Sequence, residues 1–147
     1  TKVWFEITTL LIPGHNDSDA EIAAMSQWIM KELGPEVPLH FSAFHPDHKM
    51  PDVPATPAST LVRARDIAMK AGLRYVYTGN VRHEAGDTTF CPACHTPLII
   101  RDWYQIVNYR MTAVGCCPQC DTPVAGRFDK IVSNFGRRRI PIAVGRR

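Results

Sequence analysis

Two Cys-Pro-x-Cys turns, Cys91-Pro92-Ala93-Cys94 and Cys117-Pro118-Gln119-Cys120, constrain this chain more than any other feature. Two intervening residues let both thiolates of a tight turn face one tetrahedral ion, and turn amides can donate to the sulfurs. If the turns share an ion, the segment 95–116 between them must run out and return as a hairpin. This is close to zinc-ribbon spacing, slightly longer than the usual interval. Four thiolates leave no open coordination position, so the site is expected to be structural and to hold a unit too small to fold by burial alone. Four sulfurs also suit a single iron; zinc is preferred because no redox partner is evident.

Cys116 is one cysteine more than the site needs. On an extended segment it should point away from the side that Cys117 faces, leaving it a spare thiol. It forms a Cys-x-x-x-Cys with Cys120, but position 123 is Pro, so no three-cysteine iron-sulfur signature is completed. Paired cysteines of this kind suit a metal in a reducing compartment better than a secreted disulfide framework, and a cytoplasmic location is expected. No apolar run approaches the roughly 20 residues of a membrane span, so a soluble protein is expected. The chain starts at Thr1, and Val3–Ile12 already reads as a strand; it is expected to begin inside a longer protein, with no leader before the fold.

With 147 residues, 45% of them hydrophobic, there is material for one or two small cores. The run VWFEITTLLIP (3–13) is rich in β-branched and aromatic residues and reads as a buried strand. Ser18 and Glu21 form a capping-box pattern, and Ile22, Met25, Ile29 and Leu33 recur at helical spacing until Gly34-Pro35. PLHFSAF (38–44) is a second strand, followed by a proline-rich loop, HPDHKMPDVPATP (45–57). Thr56-Pro57 should open a second helix, with Pro57 at its first position, and Gly72 should lie just past its end. LRYVYTGNV (73–81) is the third strand. The order β-α-β-α-β, with long crossovers, predicts a parallel sheet: half of a βα-barrel or an open sheet. Three strands leave two unpaired edges, so the sheet reads as incomplete. The predicted units are residues 1–87 (α/β), 88–128 (four-cysteine ribbon) and 129–147 (basic tail).

Polar residues follow each strand, where α/β active sites collect: His15, Asn16 and Asp17; His45, Asp47 and His48; Asn80, Arg82 and His83. Asn16 and Asp17 read as turn residues. His45, directly after apolar FSAF, is the candidate for ligand contact, whereas His48 and His83 read as solvated.

The succession VWFEITTLLIPGHNDSDAEI, VPLHFSAFHPDHKM, YVYTGNV, then FCPACHTPLI and CCPQCDTPVAGRF resembles the C-terminal half of radical S-adenosylmethionine enzymes of the AmmeMemoRadiSam system, relatives of pyruvate formate-lyase activating enzymes. The resemblance covers about residues 3–128. It implies the C-terminal part of a partial (β/α) TIM-like barrel followed by a zinc-ribbon-like unit. It further implies a [4Fe-4S] cluster on an N-terminal three-cysteine loop, S-adenosylmethionine on its open iron, and a 5′-deoxyadenosyl radical acting on a protein or small molecule. Those cluster cysteines are not in this sequence, so the partner implied is an N-terminal barrel half, on the same or a separate chain, and the chain alone should be inactive. By motif matching, Thr8, Leu10 and His45 fall at cofactor-contacting positions; the activases carry Arg where this chain has Thr8.

Two other readings compete. One is a βα-barrel metal-dependent hydrolase with His15, His45 and His83 as ligands. The other is a nucleic-acid module formed by the ribbon and the tail. From Gly126 onward seven Lys/Arg face one Asp, while residues 1–125 carry ten Lys/Arg against thirteen Asp/Glu. In that module, arginines of the tail would meet phosphates and Trp103, Tyr104 or Tyr109 would stack on bases. A solvated basic tail with core aromatics is the preferred alternative to it.

Overall fold

The computed structural model describes residues 3–128. The basic tail, 129–147, lies outside the described residues. Three strands, β1 (Ile7–Leu11), β2 (Leu39–Ala43) and β3 (Val76–Gly79), form a parallel sheet in the order β1-β2-β3. Thr8 pairs in register with His40, and His40 with Tyr77. The crossovers are helices α1 (Asp19–Glu32) and α2 (Ala58–Lys70).

Both helices pack on one face of the sheet. Ile22 and Ile29 of α1 join Leu61, Ala64 and Ala68 of α2 over Leu11, Leu39, Phe41, Ala43 and Val76. Phe41 is fully buried at the centre, and truncating such a ring costs about 3–5 kcal/mol. The apolar spacing of α1 holds except at its end. Leu33 lies past the last helical residue and is 41% exposed, while Ser26 occupies the buried place between Ile22 and Ile29. Its hydroxyl donates to the Ile22 carbonyl at 2.7 Å, which is how a serine is tolerated there.

Helix termini follow the expected chemistry with one correction. Ser18 caps α1, its Oγ accepting from the Glu21 amide and its hydroxyl donating to the Glu21 carboxylate at 2.6 Å. Gly72, at φ +107°, ends α2 in a Schellman motif: its amide donates to Met69 and the Leu73 amide reaches back to Ala68. Pro57, however, is one position before α2 rather than its first residue, and Thr56 is not its cap. Buried Thr56 instead donates its hydroxyl to the Leu11 carbonyl at 2.6 Å and accepts from the Phe44 amide at 3.0 Å. The Thr56 amide also donates to the Phe44 carbonyl, so the two ends of the proline-rich loop are clamped together beside β1 and β2.

After a short helix, α3 (Glu84–Asp87), the chain enters an antiparallel sheet of β4 (Thr89–Phe90), β5 (Pro97–Asp102) and β6 (Gln105–Tyr109). Asp102 pairs with Gln105, so Trp103-Tyr104 make a two-residue hairpin turn, with Trp103 at φ +53°. The fold is therefore mixed α/β with a parallel sheet; among the described residues that sheet does not close into a barrel. No helix among the described residues is long and apolar enough to cross a membrane.

Candidate metal centre and adjoining cleft

The two knuckles are near copies of one another, and the repeat extends beyond the cysteines to Cys-Pro-x-Cys-x-Thr-Pro, as CPACHTP and CPQCDTP. In the first, the Cys91 amide donates to the Thr96 carbonyl and the His95 amide to the Cys91 carbonyl. In the second, Cys117 and Thr122, and Asp121 and Cys117, make the same two bonds. His95 and Asp121 both sit in the left-handed region, at φ +58° and +55°, where a turn must reverse to bring its second sulfur beside the first. Asp is among the residues that tolerate this conformation.

The turns bring Cys91, Cys94, Cys117 and Cys120 together with every Sγ within 4.8 Å of the others. Cys91–Cys120 and Cys94–Cys117 are 3.6 Å apart and Cys94–Cys120 3.4 Å. A metal–sulfur bond of about 2.3 Å in a tetrahedron gives an edge of about 3.8 Å, so the spacing fits a four-thiolate ion. Cys91 and Cys117 are buried; Cys94 and Cys120 are exposed.

The exposed pair is prepared for ionisation. Thr96, through its hydroxyl 3.2 Å from Cys94 Sγ and its amide, pulls that thiol down to about 6. Thr122 lowers Cys120 in the same way. Burial pushes Cys117 up to about 11, against the Gln119 amide that donates to its sulfur at 3.4 Å. A cation is what would make the buried thiolates favourable. Cys116 is outside this cluster: its amide donates to Thr112 Oγ1, and its backbone bridges to Pro123.

The knuckles rest on the parallel sheet through β3. Along Tyr75-Val76-Tyr77 the valine faces the helices, while Tyr75 joins Cys91, Leu98, Ile99, Met111, Cys117 and Val124 in a second core, with Tyr77 packed against it. The Ala125 amide donates to the Tyr75 hydroxyl at 3.2 Å.

Beside this junction is a cleft of about 500 Å³, between the helix-free face of the sheet and the β5–β6 hairpin. Glu6 accepts from the Trp4 indole at 2.7 Å and lies 2.8 Å from His40 Nε2. His40 stacks on Tyr77 with ring centroids 5.0 Å apart, and the Arg101 guanidinium lies 5.6 Å from the same ring. Tyr77 Oη is 2.8 Å from Thr89 Oγ1. Glu6, His40, Tyr77 and Arg101 carry no motif, and the rule of polar residues after strand ends passes over them. His40 was detectable only as a polar residue inside an apolar strand.

The strand-end residues are arranged differently. Thr8 and Leu10 share the helix-free face of β1 and are exposed, and His45 is exposed beyond the end of β2; none of the three lines the cleft. Asn16 accepts from the Ile12 amide and donates to the Leu10 carbonyl, and Asp17 accepts from the Gly14 amide, so both shape the turn. His15, His45 and His83 are not brought together: among the described residues the four cysteines are the metal-binding group, and His83 Nδ1 instead faces Thr78 Oγ1 at 3.4 Å. The three-histidine hydrolase site is thereby corrected, because the loops leaving β1, β2 and β3 carry these side chains to separate places. Trp103 and Tyr104 sit exposed at the hairpin tip, and Tyr109, also exposed, lines the cleft.

Among curated proteins the chain is similar to one described as "Uncharacterized protein MJ0808", from Methanocaldococcus jannaschii. It is 48% identical over 116 residues, which are 78% of this chain and 35% of that protein. The chain thus spans about a third of the length of the curated relative it matches. No protein-family model and no solved structure matches the chain.

Proposed function

We propose that this chain is the C-terminal portion of a radical S-adenosylmethionine enzyme of the AmmeMemoRadiSam type, acting as the second part of a partial βα-barrel with a structural metal ribbon. The observation that carries the reading is that the helix-free face of the sheet is covered at β3, by the ribbon, and left open at β1. Parallel sheets are ordinarily covered on both faces, whereas here α1 and α2 cover one face and leave Thr8 and Leu10 of β1 exposed on the other. The outer edge of β1 is also unpaired among the described residues. An N-terminal barrel half would add strands at that edge and turn the uncovered face into a barrel interior. A relative a little over twice as long is consistent with such a half.

In this division of labour the chain supplies pocket walls, with Thr8, Leu10 and His45 toward the cofactor, and does not hold the iron-sulfur cluster. Four of its five cysteines converge in the ribbon, so only Cys116 remains, too few for a three-cysteine loop. The cluster, held elsewhere, would supply the electron that cleaves S-adenosylmethionine. The ribbon takes zinc, as a closed structural site.

The test is reconstitution. Incubated with iron, sulfide, a strong reductant and S-adenosylmethionine, this chain alone should assemble no [4Fe-4S] cluster and form no 5′-deoxyadenosine. A longer version extended upstream through a Cys-x-x-x-Cys-x-x-Cys segment should do both. Cleavage by the chain alone, or none by the extended protein with its cluster assembled, refutes the reading.

A further inference from the structure

The cleft has the size of a small-molecule site, since ligand pockets run from about 300 to 1,000 Å³. Trp4, Tyr109 and Phe128 give it flat apolar walls. Its charges are unequally committed. Glu6 is engaged by Trp4 and His40. Asp87 lines the cleft at the end of α3, its amide donating to the His83 carbonyl at 2.9 Å. Arg101 makes its hydrogen bonds through Nη1 alone, to the Asp87 carbonyl at 3.2 Å and to Thr89 Oγ1 at 3.0 Å. Among the described residues its Nε and Nη2 have no partner. Glu6 is thus spent on local bonds, while most of one guanidinium fork is unspent beside aromatic walls. Such a fork matches a planar or tetrahedral anion, and flat walls favour a ring over a flexible chain.

We propose that this cleft binds a small aromatic molecule carrying an anionic group, with the anion on Arg101 and the ring among Trp4, Tyr109 and Phe128. The site lies toward the N-terminal ends of the strands and requires neither the cluster nor the cofactor, so it goes beyond the function proposed above and does not depend on it.

The metal-loaded 147-residue chain, labelled with ¹⁵N, is titrated with benzoate and with phenyl phosphate; acetate tests the anion without the ring and benzyl alcohol the ring without the anion. At least one aromatic anion should bind saturably and move amides of Glu6, His40, Tyr77, Arg101 and Tyr109, with both controls at least tenfold weaker. The tighter of the two identifies the anion as carboxylate or phosphate. Arg101→Gln should weaken binding at least tenfold. Because Arg101 also braces Asp87 and Thr89, Ile106→Trp provides a second variant: Ile106 lines the cleft from β6 and is partly exposed, so a larger ring fills the space and leaves the brace in place. No saturable shift in folded, metal-loaded protein, or binding unchanged in both variants, overturns the proposal. Neither result bears on S-adenosylmethionine cleavage, so the two readings fail separately.

Discussion

Replacing Thr56 by Val isolates one hydroxyl and asks how firmly the proline-rich loop is held to the sheet. Thr56 is 6% exposed, and valine nearly reproduces its shape, so packing is conserved and only the oxygen is lost. That oxygen makes two bonds, a donation to the Leu11 carbonyl at 2.6 Å and an acceptance from the Phe44 amide at 3.0 Å. The Phe44 amide retains a longer bond, 3.3 Å, to the same Leu11 carbonyl, so both backbone groups keep part of their satisfaction. A buried group left wholly unpaired costs about 1–3 kcal/mol, and partial compensation places the expected loss at about 1–2.5 kcal/mol. Thr56→Ser keeps the oxygen and should lose less than about 1 kcal/mol, the transfer value of a methyl group. Urea unfolding of the metal-loaded protein gives the stabilities, and hydrogen exchange at the Phe44 amide reports the site itself. Valine within 0.5 kcal/mol of wild type (an order-of-magnitude limit for surface changes), with Phe44 exchange unchanged, would refute the reasoning.

The metal site separates two adjacent cysteines: Cys116→Ser should leave one metal per chain, whereas Cys117→Ser, at a buried ligand position, should lose it on mild chelation, as measured by elemental analysis. Equal metal content in the two variants would disprove the assignment. A Cβ added at Gly86 would lie 2.0 Å from Thr78 Oγ1 and 2.7 Å from His83 Nδ1, so Gly86→Ala should cost about 1–3 kcal/mol by forcing α3 away from β3. Thr78→Ala removes the nearest atom and should reduce that cost; equal costs in both backgrounds would argue against the clash. Burial raises Tyr75 to about 12, above the roughly 10 of an unfolded tyrosine. The folded state favours the neutral phenol, so this contribution is complete below pH 10 and is lost as pH rises toward 12. Unfolding experiments between pH 8 and 12 should show a shallower decline for Tyr75→Phe, and parallel declines would contradict this.

The elements that could be read locally were those whose signals are local. The two knuckles, the Ser18 cap, Gly72 and the β-α-β-α-β order depend on residues a few positions apart, where turn and helix chemistry act directly. Thr56 was misread for the same reason: next to a proline it matches a helix start, but its hydroxyl is claimed by a carbonyl forty-five positions earlier. The Cys-Pro-x-Cys-x-Thr-Pro repeat was present in the sequence, yet the role of its threonines emerges only when each hydroxyl is seen beside its sulfur.

Alternation along β3 allowed two faces but not what each would meet. Packing sent Val76 to the helices and Tyr75 and Tyr77 to the ribbon, and so placed His40 and Arg101 around one ring from strands sixty residues apart. Residues close together in the chain suffice for the four-cysteine cluster, the start of α1, the end of α2 and the succession of strands, because thiolate spacing and backbone capping are short-range. That β1 keeps an uncovered face and that the cleft lies beside the ribbon follow from long-range packing, because these depend on which surfaces remain once both cores have formed.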